Sequence, residues 1–378
     1  MNTKRLKKIW KESYKKRPYR AIVLAGLAVI ATGLAWGAVS LSLKADTVGT
    51  VSFQAENGTK TGLTTVADAS ASGGSAIKFG TADVTPPAGE LMGWQLTPTN
   101  VGLAPHGLSC ASLPPYTGSD APAAGTVITG KLISVPLRLI NGDITITKSC
   151  IRPTSNGPYG LVTTSDTNVC PNACAPARGQ ITITDSEFDG SLMTNQAVAY
   201  SAAFTGVGIL ERNYIHDTGS GIAFLNTGNT YTASAVNNYV HKMRAYGDAA
   251  TSGSHNETAT IRDYNTTSNP SRQLNIRGNY FLIDSGNDSG ALFIQAWAGF
   301  INNVTVENNY MLGNNYQLVL EYHNNGYGNN MRAINNRFSG TGYGPGYTTG
   351  GSGWAQWTDN YLYDATKPDA KGAVVTKR

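Results

Sequence analysis

The chain has 378 residues and a formal net charge of +5 at pH 7, with 43 glycines, 19 tyrosines and only 14% charged residues. Ten of its 29 Lys and Arg residues precede residue 45, against one of its 24 Asp and Glu residues, so the remainder is acidic on balance. A nucleic-acid-binding protein needs a basic folded surface, and this distribution excludes one.

The N-terminus has the pattern of an export segment. Residues 1–20 are strongly basic, and residues 21–43 form an apolar run without a charge. At about 1.5 Å per residue this run is long enough to cross the bilayer as a helix. We therefore predict a cytoplasmic segment at 1–20 and a transmembrane or signal helix at 21–43. A signal anchor is favoured over a cleaved signal peptide, and both alternatives place residues 45–378 outside the cytoplasm.

The cysteines fit an oxidising compartment. Cys110, Cys150, Cys170 and Cys174 make an even number, which in an exported protein indicates disulfides, and four cysteines allow three pairings. The spacing of Cys170 and Cys174 is also that of half a metal site, but no zinc-like set of Cys and His residues accompanies it. We therefore predict disulfides, with no metal and no cofactor.

A short motif, in which an apolar strand is followed by an asparagine and an aromatic residue, recurs along most of the chain. Copies end, for example, at Phe188, Tyr214, Tyr239, Tyr280, Tyr310, Phe338 and Tyr361. Most copies follow one another after 23 to 30 residues, with a few longer insertions, which is typical of repeat architectures. Each unit reads as short strand, polar turn, short strand.

The repeat predicts an all-β fold, a right-handed parallel β-helix with three strands per coil over 126–364. Residues 45–125 would form its N-terminal entry or cap region, and residues 365–378 a C-terminal tail. The asparagines are expected to stack from coil to coil at sharp bends, and the aromatic residues to point inward. His216 and His241 align with leucines of later coils, so the same register predicts that they are core histidines.

Several stretches carry a family resemblance. The opening "PPYTGSDAPAAGTVITG" followed by "LRLINGDITITKSCI", and later "VENNYMLGNNYQLVLEY" and "INNRFSGTGYGPGY", resemble the pectate-lyase-like superfamily of right-handed parallel β-helix proteins. They are most similar to secreted bacterial members of unassigned activity, over roughly 100–364. The superfamily includes lyases, hydrolases, epimerases, adhesins and tailspikes, so the resemblance implies the fold more than an activity. Residues 51–80 resemble the opening of carbohydrate-binding β-sandwich modules, although a strand pair or an ordered linker is favoured there.

In the superfamily the substrate usually lies along one parallel sheet. The corresponding strands here are expected at 221–225, 257–261, 291–295 and 317–322. Side chains alternate along a strand, so an inward Phe224 sends its successor outward. The outward row then holds Leu225, Gln295 and Glu321, joined by Thr260, and the next outward row holds Arg262, Trp297 and His323. Gln295, Trp297, Glu321 and His323 are therefore the predicted substrate-binding residues, and the alternative is an ordinary solvated sheet face.

The longest insertion, which includes residues 241–257, is expected to overhang that face. With Arg262, its residues Lys242, Arg244, His255 and Glu257 are the candidate catalytic residues. A lyase needs a base and a cation, and a glycoside hydrolase needs two carboxylates about 5–10 Å apart. Glu257 and Glu321 meet that separation if both face the groove, although strict alternation sets Glu257 out of phase with Thr260.

Together these features predict a membrane-attached, extracytoplasmic β-helix protein that acts on or binds polysaccharide. The reaction would be that of a polysaccharide lyase or a glycoside hydrolase, and whether the protein is an enzyme stays open. The alternative is a non-catalytic adhesin or a glycan-binding or structural protein of the cell surface. The expected partners are a polysaccharide or cell-surface glycan and, through 21–43, the membrane.

Overall fold

A computed structural model describes residues 91–157, 160–164, 178–340 and 342–377, and the backbone of two strands at 64–67 and 75–78. The predicted segments 1–20 and 21–43 lie outside the described residues, as do Cys170 and Cys174. Within the part that is described, no helix is long and apolar enough to cross a membrane. The chain divides into two compact units, Met1–Pro86 and Pro87–Arg378.

The described part of the first unit is a pair of strands. β1 (Thr64–Ala67) and β2 (Ser75–Lys78) run antiparallel, with Thr64 opposite Lys78. They fall within the segment that resembles a carbohydrate-binding module. The rest of that segment lies outside the described residues, so the choice between a strand pair and a module stays a prediction.

The described strands of the second unit form three sheets. The first sheet contains β3 (Val127–Thr129), β6 (Ile144–Thr147), β9 (Ile181–Thr184), β12 (Ile209–Glu211), β15 (Ala233–Val236), β18 (Leu274–Arg277), β21 (Val304–Glu307), β24 (Met331–Ile334) and β27 (Gln356–Thr358). The second sheet contains β4 (Leu132–Ile133), β7 (Cys150–Ile151), β10 (Glu187–Asp189), β13 (Tyr214–His216), β16 (Tyr239–His241), β19 (Tyr280–Ile283), β22 (Tyr310–Gly313), β25 (Arg337–Ser339), β28 (Tyr361–Tyr363) and β29 (Lys371–Val374). The third sheet contains β5 (Leu137–Arg138), β8 (Gly160–Thr163), β11 (Ala202–Gly206), β14 (Ser220–Phe224), β17 (Asn256–Ile261), β20 (Asp288–Gln295), β23 (Tyr316–Glu321) and β26 (Gly344–Thr349).

Strands of one coil belong to different sheets, and each pairs in parallel with the equivalent strand of the next coil. The predicted parallel β-helix with three strands per coil is therefore confirmed. β29 is the exception, because it pairs antiparallel with β28 and lies within the predicted tail 365–378. One α-helix is described, α1 (Asn195–Ala199), and Thr194 caps it by accepting from the amide of Ala197. Short 3₁₀ turns lie at Gly93–Gln95, Ala104–His106, Cys110–Ser112 and Pro368–Ala370.

Apolar side chains fill the interior of the coils. In the first sheet, Ile144 and Ile146 of β6 and Val304 and Val306 of β21 are fully buried, while the threonines between them are partly exposed. This is the two-residue period of a strand with one buried face. Each such side chain contributes roughly 1.5–3 kcal/mol by leaving water.

Asparagines stack at the corner between the first and second sheets. The stack consists of Asn213, Asn238, Asn279, Asn309, Asn336 and Asn360, all of which are buried. In the first five the side-chain NH₂ donates to the Oδ1 of the next, over 2.9 to 3.1 Å. The residue before each asparagine has a positive φ, for example 54° at Asn237 and 59° at Asn308. The predicted ladder is confirmed, and the left-handed residue is the one before it.

The tyrosines of the repeat do not point inward as predicted, whereas Phe188 and Phe338 do. Tyr239 and Tyr280 are partly exposed and stack on each other with ring centroids 4.2 Å apart, while their successors Val240 and Phe281 are fully buried. The ladder asparagine is itself buried, so the next residue faces outward and the one after it inward. Phe338 is inward because it lies opposite Met311, one position later than the tyrosines.

His216 and His241 are therefore outward residues, which corrects the prediction of core histidines. His216 lies opposite His241 on neighbouring strands of the second sheet. The leucines aligned with them, Leu282 and Leu312, are also only partly buried. His216 is nevertheless covered, at 8% exposure, because carboxylates surround it, with Asp217 Oδ2 2.7 Å from its Nδ1.

Residues 91–113, which we call the axial strap, lie across the coils beside the tyrosines. The ring of Trp94 lies 4.3 Å from the guanidinium carbon of Arg337. The strap then runs back towards the first coils, where the amide of Gly102 donates to the carbonyl of Arg212 over 2.7 Å. A disulfide between Cys110 and Cys150 fixes its far end, which is one of the predicted cysteine pairings.

Candidate functional site

The outer face of the third sheet carries a cavity of about 380 Å³. Its floor is a row of small side chains, Thr205, Ala223 and Thr260, which lie opposite one another on β11, β14 and β17. Such a row crosses the strands from coil to coil, so the groove follows the axis of the β-helix and advances about 4.8 Å with each coil. A floor without bulky side chains leaves room for an extended ligand.

β17 departs from strict alternation just before that floor. Thr258 and Ala259 are consecutive and both buried. Glu257 before this pair and Thr260 after it both line the cavity. Two consecutive residues turned away from the groove therefore remove the phase conflict in the sequence, while the register with β20 stays regular from Glu257 to Ile261.

A chain of hydrogen bonds starts on one side of the floor, at Glu257, and crosses three strands on the other side, from Arg262 onward. Oε1 of Glu257 lies 3.2 Å from Nη2 of Arg262, and Nη1 of Arg262 donates to Oε1 of Gln295. Nε2 of Gln295 in turn donates to Oε2 of Glu321 over 2.6 Å. We call these four residues the polar row. It links one carboxylate at the floor to a second carboxylate at the edge.

Glu257 is the buried member of the polar row, with 4% of its surface exposed. Burial raises the pKa of its carboxyl group above the ordinary value, while the Arg262 guanidinium and the hydroxyls of Ser289 and Ser220 act in the opposite direction. Ser220 donates from Oγ to Oε2 over 3.3 Å. A carboxyl group that keeps its proton at a higher pH suits a general acid.

Two aromatic rings flank the cavity at its rim. Trp297 is 36% exposed and Tyr200 is 54% exposed, and both line the cavity. The hydroxyl of Tyr200 donates to the carbonyl of Ser252 over 2.6 Å, which fixes the ring against the long insertion. Exposed rings held in place can cover the apolar face of a sugar ring.

The structure brings most of the predicted site residues together. His255, Glu257, Arg262, Gln295 and Trp297 all line the cavity, and Glu321 joins them through Gln295. The predicted sheet strands at 221–225, 257–261, 291–295 and 317–322 are neighbours in the third sheet. Their inward residues Phe224, Ile294 and Leu320 are fully buried, as the register predicted.

Three predicted residues lie elsewhere. Arg244 donates to Oδ1 of Asn195 over 3.1 Å and to two nearby carbonyls, so it ties the insertion to the α1 segment. Lys242 is exposed beyond the end of β16 in the second sheet, and His323 follows β23 without lining the cavity. The structure does not place Lys242, Arg244 or His323 where a ligand in the groove would meet them.

Arg262 occupies a different row from the predicted one. Ile261 lies opposite Ile294, so the next residue, Arg262, is opposite Gln295 rather than in the row of Trp297. Thr260 lies in the row of Ala223 and not in that of Gln295. The prediction was wrong because it placed Thr260 opposite Gln295, whereas the residue in that position is Arg262, two residues later in the chain.

Sequence reasoning missed a cluster of tyrosines farther along the same sheet. Tyr316 stacks on Tyr347 with ring centroids 4.7 Å apart, and Tyr343, 72% exposed, lies 5.5 Å from Tyr316. We call these three residues the aromatic platform. Tyr347 is opposite Val319, which places it in the row that begins at the groove floor. Once the register is fixed, alternation in β26 identifies Tyr347 as an outward residue.

One group of side chains on the second sheet has the composition of a metal site. Single ligand atoms of Glu187, Asp189 and His216 lie within 4.8 Å of one another. The guanidinium of Arg152, however, lies 2.7 Å from the carboxylate of Asp189, and Asp217 already pairs with His216. We assign no metal to this group, which is separate from the groove.

Comparison of the chain with protein-family models, with curated proteins and with solved structures finds no match.

Proposed function

We propose that the protein binds a polysaccharide along the groove of the third sheet. The observation that carries this proposal is the groove itself, whose lining combines a floor of small side chains, members of the polar row and two exposed rings. Amides, carboxylates and hydroxyls bond sugar hydroxyls, and flat rings cover their C–H faces. The resemblance to pectate-lyase-like proteins supports the same ligand class.

Hydrolysis of a glycosidic bond is the reaction that the polar row supports best. In its ionised form, at higher pH, Glu257 pairs with Arg262; in its protonated form, which burial favours by raising its pKa, it would be the general acid, with Glu321 as the second carboxylate. Their strands are two apart in the sheet, about 9–10 Å, and Glu257 also lies five residues before the row of Glu321 along the strand direction. The two carboxylates are therefore farther apart than the roughly 5–5.5 Å of retaining enzymes, and they are connected through Arg262 and Gln295.

A lyase has less support from the described residues. Its base and its cation were expected among Lys242, Arg244, His255 and Arg262, but the first two lie outside the cavity. Arg262 is held by Glu257 and Gln295, so it is not free to neutralise a substrate carboxylate. Binding without catalysis, as in an adhesin, uses the same groove and is the second candidate function.

The proposed location is outside the cytoplasm, with attachment to the membrane through 21–43. The Cys110–Cys150 disulfide supports it, because disulfides persist in oxidising compartments. Fractionation of cells that produce the full chain should recover it in the membrane fraction, accessible to protease added outside. Recovery as a soluble cytoplasmic protein would contradict this location.

A glycan array tests the proposed ligand, and an assay for new reducing ends and for unsaturated uronates tests the reaction. We expect retention on at least one polysaccharide and new reducing ends without unsaturated uronates. The Glu257→Gln variant should bind without forming product. Retention without product would favour the non-catalytic function, and unsaturated products would favour a lyase. No retention on any polysaccharide would overturn the proposed function.

A further inference from the structure

We infer that the groove takes an uncharged polysaccharide rather than a polyuronate or another polyanion. This inference rests on the proposed function and adds the charge class of the ligand. It follows from how the charged groups of the groove are arranged, because an anionic chain needs cations that it can reach.

Arg262 is the cation at the centre of the groove, and it is neutralised in place. Nη2 is 3.2 Å from the carboxylate of Glu257, and Nη1 is occupied by Gln295. The face of Phe293 lies 5.2 Å from its guanidinium carbon. A guanidinium with its charge paired and one N–H of each terminal nitrogen already bonded offers less to an incoming carboxylate than a free one.

The edge of the groove beside Arg262 is negative. Gln295 donates a hydrogen bond to the carboxylate of Glu321, which is only partly buried. A polyuronate carries about one carboxylate per sugar, so a chain along this groove would bring at least one of them close to Glu321. Like charges at such range cost binding free energy, and the cost is greater where water is partly excluded.

The remaining polar groups that line the cavity are largely neutral. They include the amides of Asn156 and Gln295 and the hydroxyls of Ser201, Ser220 and Thr260. His255 at the rim is the one other basic side chain among the lining residues that the structure describes. Amides and hydroxyls both donate and accept, which suits sugar hydroxyls and gives no preference for an anion.

Matched polymers that differ in charge test this inference. The pairs are hydroxyethylcellulose with carboxymethylcellulose, dextran with carboxymethyl-dextran, and methyl-esterified with de-esterified homogalacturonan. If the glycan array identifies another neutral polysaccharide, that polysaccharide and its carboxymethyl derivative form a further pair. Dissociation constants are measured by titration calorimetry at pH 8, above the ordinary range of imidazole titration, so that histidine charge does not contribute.

We expect the neutral member of a bound pair to bind at least about tenfold more tightly. Its dissociation constant should change less than about twofold between 50 and 500 mM NaCl, because salt screens only charged contacts. Tighter binding of the anionic member, or binding that weakens steeply with salt, would overturn the inference and leave the proposed function standing. Binding to no member of any pair and no array glycan would overturn both.

Two variants sharpen the test. Glu321→Gln removes the edge carboxylate and should reduce the preference for the neutral member at least about threefold. Glu257→Gln leaves the charge of Arg262 unpaired and should reduce the preference for the neutral member further. Leu362→Ala, an exposed residue of the second sheet, is the matched control and should leave the preference unchanged. An unchanged preference in folded Glu321→Gln would contradict the role given to that carboxylate.

Discussion

At the scale of single residues, the same side-chain type has different tasks at neighbouring positions of one turn. Asn237 has a left-handed backbone, whereas Asn238 is buried and bonds its counterpart in the next coil. The first task needs tolerance of positive φ, and the second needs an amide that donates and accepts at once. An Asn-Asn pair in the sequence therefore specifies both the bend of the backbone and the ladder asparagine that follows it.

Asn279 lies in the middle of the ladder, and its replacement should be costly. Its NH₂ group donates to Ala235 and to Asn309, and its Oδ1 accepts from the amide and side chain of Asn238. Asn279→Ala leaves several buried groups unpaired at about 1–3 kcal/mol each, so we expect a loss of at least about 3 kcal/mol in urea unfolding. Asn229→Ala, in a partly exposed loop, should cost under about 0.5 kcal/mol. Equal losses in the two variants would contradict a stabilising ladder.

Trp297 is expected to act on the ligand more than on the fold. Its ring is exposed at the rim of the groove, so Trp297→Ala should weaken binding of the array-identified glycan about tenfold. The unfolding free energy should change by less than about 1 kcal/mol. Calorimetric titration and urea unfolding measure the two effects separately. A large loss of stability with unchanged affinity would make Trp297 a structural residue.

Asp263 should make stability depend on pH. Burial raises its pKa to about 6, against hydrogen bonds from Thr227. A carboxyl group with a raised folded pKa stabilises the fold below its unfolded pKa, near 4, and this stabilisation is lost as the pH rises through about 6. Asp263→Asn should therefore gain about 2 kcal/mol at pH 7 and almost nothing at pH 4, measured by urea unfolding. A gain of the same size at both pH values would contradict this cause.

At the scale of elements, the strands could be predicted from the sequence and the bends between them only in part. Val304 and Val306 alternate with polar residues, so their strand and its inward face follow from period two. The buried pair Thr258 and Ala259 has no such signal, because both a threonine and an alanine are common on either face. The groove residues were found by alternation, and Arg262 was misplaced because alternation within one strand does not fix which residue lies opposite Gln295 in the neighbouring coil.

The tyrosines show the same limit. Tyr239 follows a ladder asparagine, and hydrophobicity alone favours an inward ring. The strap covers that column from outside, so an aromatic residue can be outward and still shielded. A contact made by a segment remote in sequence is invisible to local periodicity.

The strap depends on glycine at one close approach. A Cβ on Gly93 would lie 2.2 Å from the carbonyl oxygen of Asn279 and 2.5 Å from the amide nitrogen of Tyr310. Gly93→Ala should therefore lift this end of the strap, cost about 1–3 kcal/mol and speed hydrogen exchange at residues 91–96.

Gly107 of the same strap supplies the control. It has a positive φ of 67° but no atom within 4 Å of an added Cβ. Gly107→Ala should cost about 1 kcal/mol of backbone strain and leave exchange at 91–96 unchanged. Equal exchange in the two variants would show that close approach is not what holds the strap.

At the scale of the whole molecule, stability is distributed along a stack in which each coil contacts mainly its neighbours. Such a stack would open from its ends. The strap, the disulfide and the antiparallel β29 counter this, because they connect distant coils or close the last one. Reduction of the Cys110–Cys150 disulfide should therefore lower the unfolding free energy by about 2–4 kcal/mol, measured by urea unfolding with and without reductant. An unchanged unfolding curve would show that this link adds nothing to the stack.

The strap also has a consequence for the order of assembly. It is synthesised before every coil that it touches, yet its partners at Asn308 and Arg337 emerge from the ribosome far later. The coils can stack as they are synthesised, but the strap can dock only later. The outward tyrosines remain exposed to water until it docks. Pulse-labelling exchange during refolding should thus protect the asparagine ladder first and residues 91–96 last. A newly made chain would remain open along one side until nearly all of it had been synthesised.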